Sequence, residues 1–276
     1  MDRLSPLFAR FAPSARVFHS GSLCGSADAD LSDGGGHIHL INSGRVTVSR
    51  PQFDSITIEQ PSVLFFPRPS VHRLQVDEHD KTEMVCATIK FGNGVESPVM
   101  RALPEVMVVP LESAPSLKPM LALLFAEAFS DKCGRQAAID RLTEYLMVLL
   151  LRHAMTNDIV GGGILAGLGD PRLSKAITAM HERPEQSWSL EQLAESAGMS
   201  RARFAVHFRE TVGMTPLDYL TDWRVGVAQV LLKGGQSLKF VAPAVGYMSP
   251  TAFTRVFSQR IGASPTEWLA QSANAY

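Results

Sequence analysis

Between Ser189 and Trp268 the chain carries one helical pattern twice, and this duplication constrains the fold more than any other feature. Ser200, Phe204, Phe208, Gly213 and Pro216 return as Ser249, Phe253, Phe257, Gly262 and Pro265, each 49 positions later, and Tyr219 returns as Trp268. Upstream of the serines the spacing falls to 48, pairing Leu190 with Leu238, Leu193 with Val241, Ala194 with Ala242 and Ala197 with Val245. A repeat that keeps its apolar positions and slips by one residue at a single turn predicts two copies of one supersecondary unit.

Each copy reads as a short helix, a glycine turn and a second helix. In the first, Ser189 is the N-cap, Leu190 to Ala197 the short helix, and Gly198 its end. Ser200 opens a second helix whose inner stripe is Phe204 and Phe208. This is helix-turn-helix patterning, predicted at about 189–211 and again at about 237–261. Between the copies, Leu217, Tyr219, Leu220, Trp223, Val227, Val230 and Leu231 hold a helical stripe up to Gly234-Gly235, which predicts one connecting helix. Pro243 falls inside the short helix of the second copy, where an interior proline costs about 3 kcal/mol, so that helix starts late or bends.

The rest of the chain has a different texture. From Val17 to Ile89 it alternates like strands: His37 to Ile41, an Asn42-Ser43-Gly44 turn read as a hairpin, Arg45 to Ser49, Ser55 to Glu59, Val63 to Phe66, and Met84 to Phe91. Residues 1–20 are rich in Pro and Ala and read as an arm or a capping segment. Near Ser116 the period becomes helical, with two segments that pack as a hairpin. Gly161-Gly162-Gly163 and Gly167 to Gly169 mark a linker, and Asp170-Pro171 starts a helix. The expected architecture is α+β in two domains. A β-barrel occupies 1–115, a helical hairpin suited to dimerisation 116–160, a glycine-rich linker 161–169, and an all-α double helix-turn-helix 170–276.

Charge sharpens this division. The net charge of −1 gives no global pull toward nucleic acid. From Asp170 onward, 11 Lys+Arg stand against 9 Asp+Glu, a net of +2. Such a domain holds DNA weakly alone and gains occupancy by pairing. Three cysteines without CxxC spacing argue against a disulfide framework and fit a reducing cytoplasm. Cys24, Cys86 and Cys133 are expected to be buried thiols. No signal peptide or membrane span is expected, since Arg10, Pro13 and Arg16 break the N-terminus and the longest apolar run is Tyr145 to Leu151. Glu78, His79 and Asp80 read as a solvated turn.

Leu190 to Trp268 resembles the DNA-binding domain of the AraC-type transcriptional regulators (the AraC/XylS family). The matching segments are Val245-Gly246-Tyr247, Phe253-Thr254-Arg255-Val256-Phe257 and Gly262-Ala263-Ser264-Pro265, with Gly213-Met214-Thr215-Pro216 and Trp223-Arg224 in the first copy. His39 to Gly44 and Pro67 to His72 resemble, more weakly, the cupin-like regulatory domain of such proteins. The resemblance implies sequence-specific binding to double-stranded promoter DNA. It also implies a small-molecule effector or dimerisation through the N-terminal part, a homodimer, RNA polymerase as a further partner, no cofactor and no enzymatic activity.

With Phe204 and Phe208 inward, Arg201, Ala202, Ala205, Val206 and Arg209 face out. The family's base-reading positions fall on Ala202, Ala205 and Val206, which touch thymine methyls but make no bidentate base hydrogen bonds. Arg201, Arg203 and Arg209 would hold phosphate. In the second copy the set is Ser249, Pro250, Thr251, Thr254 and Arg255, with Arg255 the best guanine contact. His37, His39 and His72 are the weak metal candidates: the carboxylate expected soon after His39 is replaced by Asn42-Ser43-Gly44. A metal-dependent cupin enzyme fused to a DNA-binding domain is the alternative reading, and a ligand-free architectural protein the third.

Overall fold

The computed structural model describes residues 2–29, 34–77, 81–92, 98–157, 159 and 162–273. Gly161 of the glycine run and the Glu78-His79-Asp80 turn lie outside them. The chain forms two compact units. The β-rich unit comprises Pro13–Gly94 and Leu103–Ile159, and the helical unit Met1–Ala12, Val95–Ala102 and Val160–Tyr276.

In the β-rich unit the strands are β1 (Pro13–Leu23), β2 (Gly25–Ala29), β3 (Gly36–Ser43), β4 (Val46–Arg50), β5 (Phe53–Ile58), β6 (Ser62–Phe66), β7 (His72–Val76), β8 (Thr82–Phe91) and β9 (Met107–Pro110). They make two antiparallel sheets, ordered β1-β8-β3-β6-β9 and β2-β7-β4-β5. The expected barrel is therefore, among the described residues, a two-sheet sandwich. The expected hairpin at Asn42-Ser43-Gly44 is a crossing between sheets: β3 pairs with β6 and β8, while β4 pairs with β5 and β7. Alternation signals strands but does not name their partners. The inner faces meet in one core, with Ile41, Leu64, Phe66 and Met84 from the first sheet against Val46, Val48, Ile58 and Leu74 from the second.

Two helices complete this unit, α3 (Lys118–Ala128) and α4 (Arg135–Thr156), which pack together as the period predicts. α4 also covers the edge strand β1, where a register shift lies between Val17 and His19. The backbone groups freed there are taken by side chains of α4. Asp140 Oδ1 accepts from the Val17 amide at 2.8 Å, and Gln136 Nε2 donates to the Val17 carbonyl at 2.9 Å. Satisfying an edge in this way removes its tendency to pair with another chain.

The helical unit begins with the N-terminus. α1 (Ser5–Arg10) buries Leu7, and the following Phe11 packs edge-on against Trp223 at 5.1 Å. Arg3 Nη1 donates to the carbonyls of Leu168 and Gly169. Residues 2–12 and the short α2 (Pro98–Ala102) thus pack with the helices, not with the sheets that adjoin them in sequence, which departs from the expected 1–115 domain. A helix also occupies much of the expected linker: α5 (Ile164–Gly169) buries Ile164, Leu165 and Leu168 and packs on α6 and α8. Glycine suggested freedom there, but Gly167 is set tightly against Ile177 and Val212, where a small residue permits close packing.

The remaining helices follow the repeat: α6 (Leu173–Glu182), α7 (Leu190–Ser196), α8 (Arg201–Val212), α9 (Pro216–Lys233), α10 (Leu238–Ala244), α11 (Pro250–Ile261) and α12 (Pro265–Ala273). Asp170 Oδ1 accepts from the amides of Arg172 and Leu173 at 2.8 Å, opening α6. Ser189 and Gln192 form a reciprocal capping box on α7. α8 and α11 both end on a left-handed glycine, Gly213 at φ 85° and Gly262 at φ 83°. Pro243 neither delays α10 nor abolishes it; the helix starts at Leu238 and Pro243 sits in its last turn.

Candidate nucleic-acid interface and sandwich cavity

The aromatic stripes decide what the paired helices can offer outward. In the first copy Phe204 and Phe208 are fully buried with rings 5.6 Å apart, and Phe208 meets Tyr219 at 5.7 Å. In the second, Phe253 and Phe257 lie 5.5 Å apart, and Phe257 meets Trp268 at 5.8 Å. The 49-residue offset is thus repeated in packing. With these rings inward, the opposite faces of α8 and α11 turn to solvent. Arg201, Ala202, Arg203, Val206 and Arg209 are exposed and Ala205 half-buried. On the second copy Pro250, Thr251 and Arg255 are exposed, with Ser249 and Thr254 half-buried. Every predicted DNA-facing position therefore lies on an accessible surface.

Their availability differs. Ser249 Oγ accepts the Ala252 amide at 3.2 Å and so caps α11. Arg201 pairs with Glu191 at 2.9 Å, bridging the first turn. Among the described residues, no hydrogen bond or ion pair engages the side chains of Arg203, Arg209 or Arg255. A concave surface beside α8, about 700 Å³, is lined by Ala202, Arg203, Val206 and His207 with Asp170 and Arg172. His207 Nε2 lies 2.8 Å from Asp170 Oδ2, tying α8 to the start of α6.

Two further cations hold the second copy in place. Arg224 donates from Nε to the Pro184 carbonyl at 2.7 Å and from Nη2 to the Gln186 carbonyl at 2.8 Å, with its guanidinium 5.6 Å from the Tyr247 ring centre. Arg260 bridges Asp218 at 2.6 Å and Asp222 at 3.3 Å, joining α11 to α9. Sequence reasoning missed Arg260, although Asp218 and Asp222 stand four apart on one helix face and so mark a cation's seat. Behind the first copy, buried His181 stacks on Trp223 at 3.6 Å and hydrogen-bonds the Tyr219 hydroxyl. Burial pushes the His181 pKa down to about 3.

The β-rich unit holds a cavity of about 650 Å³ lined by residues of both sheets. Strand register builds its polar side: His19 and His39 both pair with Cys86 from opposite edges of β8. His37 and His39 point inward from alternate positions of β3, and His72 approaches from β7. The structure thus brings His37, His39 and His72 together, with ring centres 5.0–6.2 Å apart. Burial, reinforced by the other imidazoles, holds His39 well below the ordinary histidine pKa. Burial lowers His72 to about 4 and raises the Cys86 thiol to about 12. Of the three expected buried thiols only Cys86 is buried; Cys24 and Cys133 are exposed.

The donor set does not fit the metal that a cupin fold would suggest. His39 Nε2 and His72 Nε2 lie 2.8 Å apart and share a hydrogen bond, whereas two ligands on one tetrahedral ion with bonds near 2.0–2.1 Å stand about 3.3 Å apart. Among the described residues no His/Cys/Asp/Glu group of three or more is arranged to hold an ion.

Comparison with known proteins finds two family matches along the chain. The cupin family matches residues 2–156, and the helix-turn-helix domain family matches residues 193–271. An uncharacterized HTH-type transcriptional regulator of Haemophilus influenzae is 29% identical over 85% of this chain and 86% of its own length. The RCS-specific HTH-type transcriptional activator RclR of Escherichia coli is 29% identical over 97% of each chain. A putative AraC-like transcription regulator of Streptomyces lividans is 30% identical over 68% of this chain and 64% of its own. With a cupin match across more than half of its length and a duplicated, outward-facing helix-turn-helix behind it, the chain belongs to the AraC-type family of DNA-binding transcriptional regulators.

Proposed function

We propose that a small molecule entering the sandwich cavity changes how two copies of this regulator present their paired recognition helices to promoter DNA. The observation that carries this reading is the cavity itself. Its volume, about 650 Å³, falls within the range of small-molecule sites, and it is built from strands of both sheets, so a ligand there would bear on the unit that adjoins the helices in sequence. A homodimer accords with Leu123, Phe129 and Tyr145, large apolar side chains left exposed on or beside α3 and α4. It also accords with the net +2 of the DNA-binding region, too small a charge for tight binding by one copy. The protein acts in the cytoplasm, where RNA polymerase is a further partner. Among the described residues no helix is long and apolar enough to cross a membrane.

Within each protomer the two readers divide the work. Ala202, Ala205 and Val206 touch thymine methyls, and Arg201, Arg203 and Arg209 hold phosphate. Ser249, Pro250, Thr251 and Thr254 line the second groove contact, and Arg255 reads guanine. The test is a genome-wide binding map of the full-length protein with and without candidate metabolites, followed by operator titration and sedimentation. Occupancy and dimerisation should shift with one metabolite class. Operator affinity and assembly that ignore every metabolite would overturn the effector mechanism.

A further inference from the structure

A second concavity of the β-rich unit, about 280 Å³, shares no lining residue with the sandwich cavity. It lies where the end of β4 meets the segment joining β6 to β7. Its charged side chains are Arg50, Arg68 and Glu105, two cations to one anion, and Ser70 adds a hydroxyl.

Two side chains of the same wall locate the Arg50 guanidinium. Its central carbon lies 4.2 Å from the Phe53 ring centre, and its Nη1 lies 3.6 Å from Glu105 Oε2. Both partners line the concavity, so the cation stands at it. The Arg50 side chain is only 11% exposed, whereas that of Glu105 is 62% exposed and its contact is longer than a hydrogen bond. Arg50 Nε is buried with no hydrogen-bond partner among the described residues. A guanidinium withdrawn from water and answered by one long, solvent-screened ion pair lacks a close counter-charge. Stacking on Phe53 covers a face of the guanidinium and leaves its in-plane N–H groups, the ones that pair with carboxylate or phosphate oxygens.

Arg68 supplies the second cation. Its Nη1 donates to the Leu103 carbonyl at 2.9 Å, a contact that anchors the side chain without neutralising it. Beside the cations, Phe53 and Val71 leave large apolar side chains exposed on the rim. The wall also adjoins the histidine cluster, since His72 donates from Nδ1 to the Ser70 carbonyl at 2.9 Å.

We propose that this concavity binds a small organic oxyanion, a carboxylate or a phosphate monoester, with its head group on Arg50 and Arg68 and its apolar body on Phe53 and Val71. The head group becomes the close counter-charge of Arg50, and Glu105 turns to solvent. The site is separate from the sandwich cavity, and its occupancy does not depend on the effector mechanism above. Calorimetric titration of the full-length protein with benzoate, phenyl phosphate and neutral benzamide tests it. At least one anion should bind saturably and about tenfold more tightly than benzamide, and the tighter anion identifies the head group. Arg50→Met should weaken that anion about tenfold. Glu105→Gln, at an exposed position, should tighten it about threefold by removing the competing charge. Saturable binding of neither anion, benzamide binding as tightly as both, an affinity unmoved by Arg50→Met, or one not tightened by Glu105→Gln overturns the proposal. Circular dichroism reports whether each variant folds; if Arg50→Met does not, Glu105→Gln decides alone, a tighter anion supporting the site and an unchanged or weaker one overturning it.

Discussion

The two helix-turn-helix copies are alike inside and unlike outside. Their buried rings keep nearly the same separations, 5.6 and 5.5 Å between the paired phenylalanines and 5.7 and 5.8 Å to the next aromatic. Their supports differ. The first copy leans on a buried polar stack, with Tyr219 bonded to His181 and His181 lying on Trp223. The second is clamped by cations, Arg224 beneath its turn and Arg260 across to α9. Their outward chemistry differs too: small apolar side chains among arginines on α8, against threonines, a proline and Arg255 on α11. Duplication therefore preserves what packs, while the supports and surfaces diverge.

The largest expected effect tests the likeness. Phe208→Ala and Phe257→Ala each remove a fully buried ring, and each should destabilise the helical unit by about 3–5 kcal/mol. Urea unfolding followed by tryptophan fluorescence measures both, and a much smaller loss at Phe257 would break the equivalence of the two cores.

Acid tests the difference in support. A histidine whose folded pKa lies below its unfolded value near 6.5 leaves stability unaffected above that pH, and stability is then lost as pH falls, because the unfolded chain takes the proton first. For His181, lowered to about 3, the loss should run at about 1.4 kcal/mol per pH unit below 6.5. His72, at about 4, adds a similar slope in the β-rich unit down to that pH. His181→Gln should flatten the slope seen at Trp223, and an unchanged pH profile would remove His181 as the acid-sensitive part of the first copy's support.

Next come the two turn glycines, both with positive φ. A Cβ on Gly198 would meet nothing within 4 Å, whereas one on Gly246 would lie 2.7 Å from Arg224 Nη2 and 2.8 Å from the Glu185 carbonyl. Gly198→Ala should cost about 1–2 kcal/mol, the left-handed backbone penalty alone. Gly246→Ala should cost more, and equal melting-temperature losses would show that Arg224 yields without penalty.

The last test concerns DNA. Arg255→Ala should lose roughly 1–3 kcal/mol of discrimination at one base pair, and Arg209→Ala should weaken specific and random DNA alike. Binding titrations on operator and scrambled duplexes decide it; parallel losses for both variants would dissolve the proposed division between reading and holding.

Periodicity was sufficient for the repeat because its signal is local: apolar residues four apart on a helix must share a face, so Phe204, Phe208, Phe253 and Phe257 had to turn inward. Turn serines and glycines marked helix ends for the same reason. Family motifs also carried a physical meaning that structure makes plain, since Gly246 leaves room for the Arg224 guanidinium and the Glu185 carbonyl. The strand alternation of 17–89 likewise predicted β structure, in which His37 and His39, two positions apart on one strand, share a face.

What remained hidden depended on groups far apart in sequence. The partners of β3 and β4 lay in different sheets because the core needed both inner faces, not because the turn between them forbade a hairpin. The docking of Phe11 on Trp223, the burial of α5, and the bond between His39 and His72 pair residues separated by 33 positions or more, or bury small residues that composition reads as flexible. A sequence states which residues seek burial or a hydrogen-bond partner; only the closed fold decides which partner each one meets.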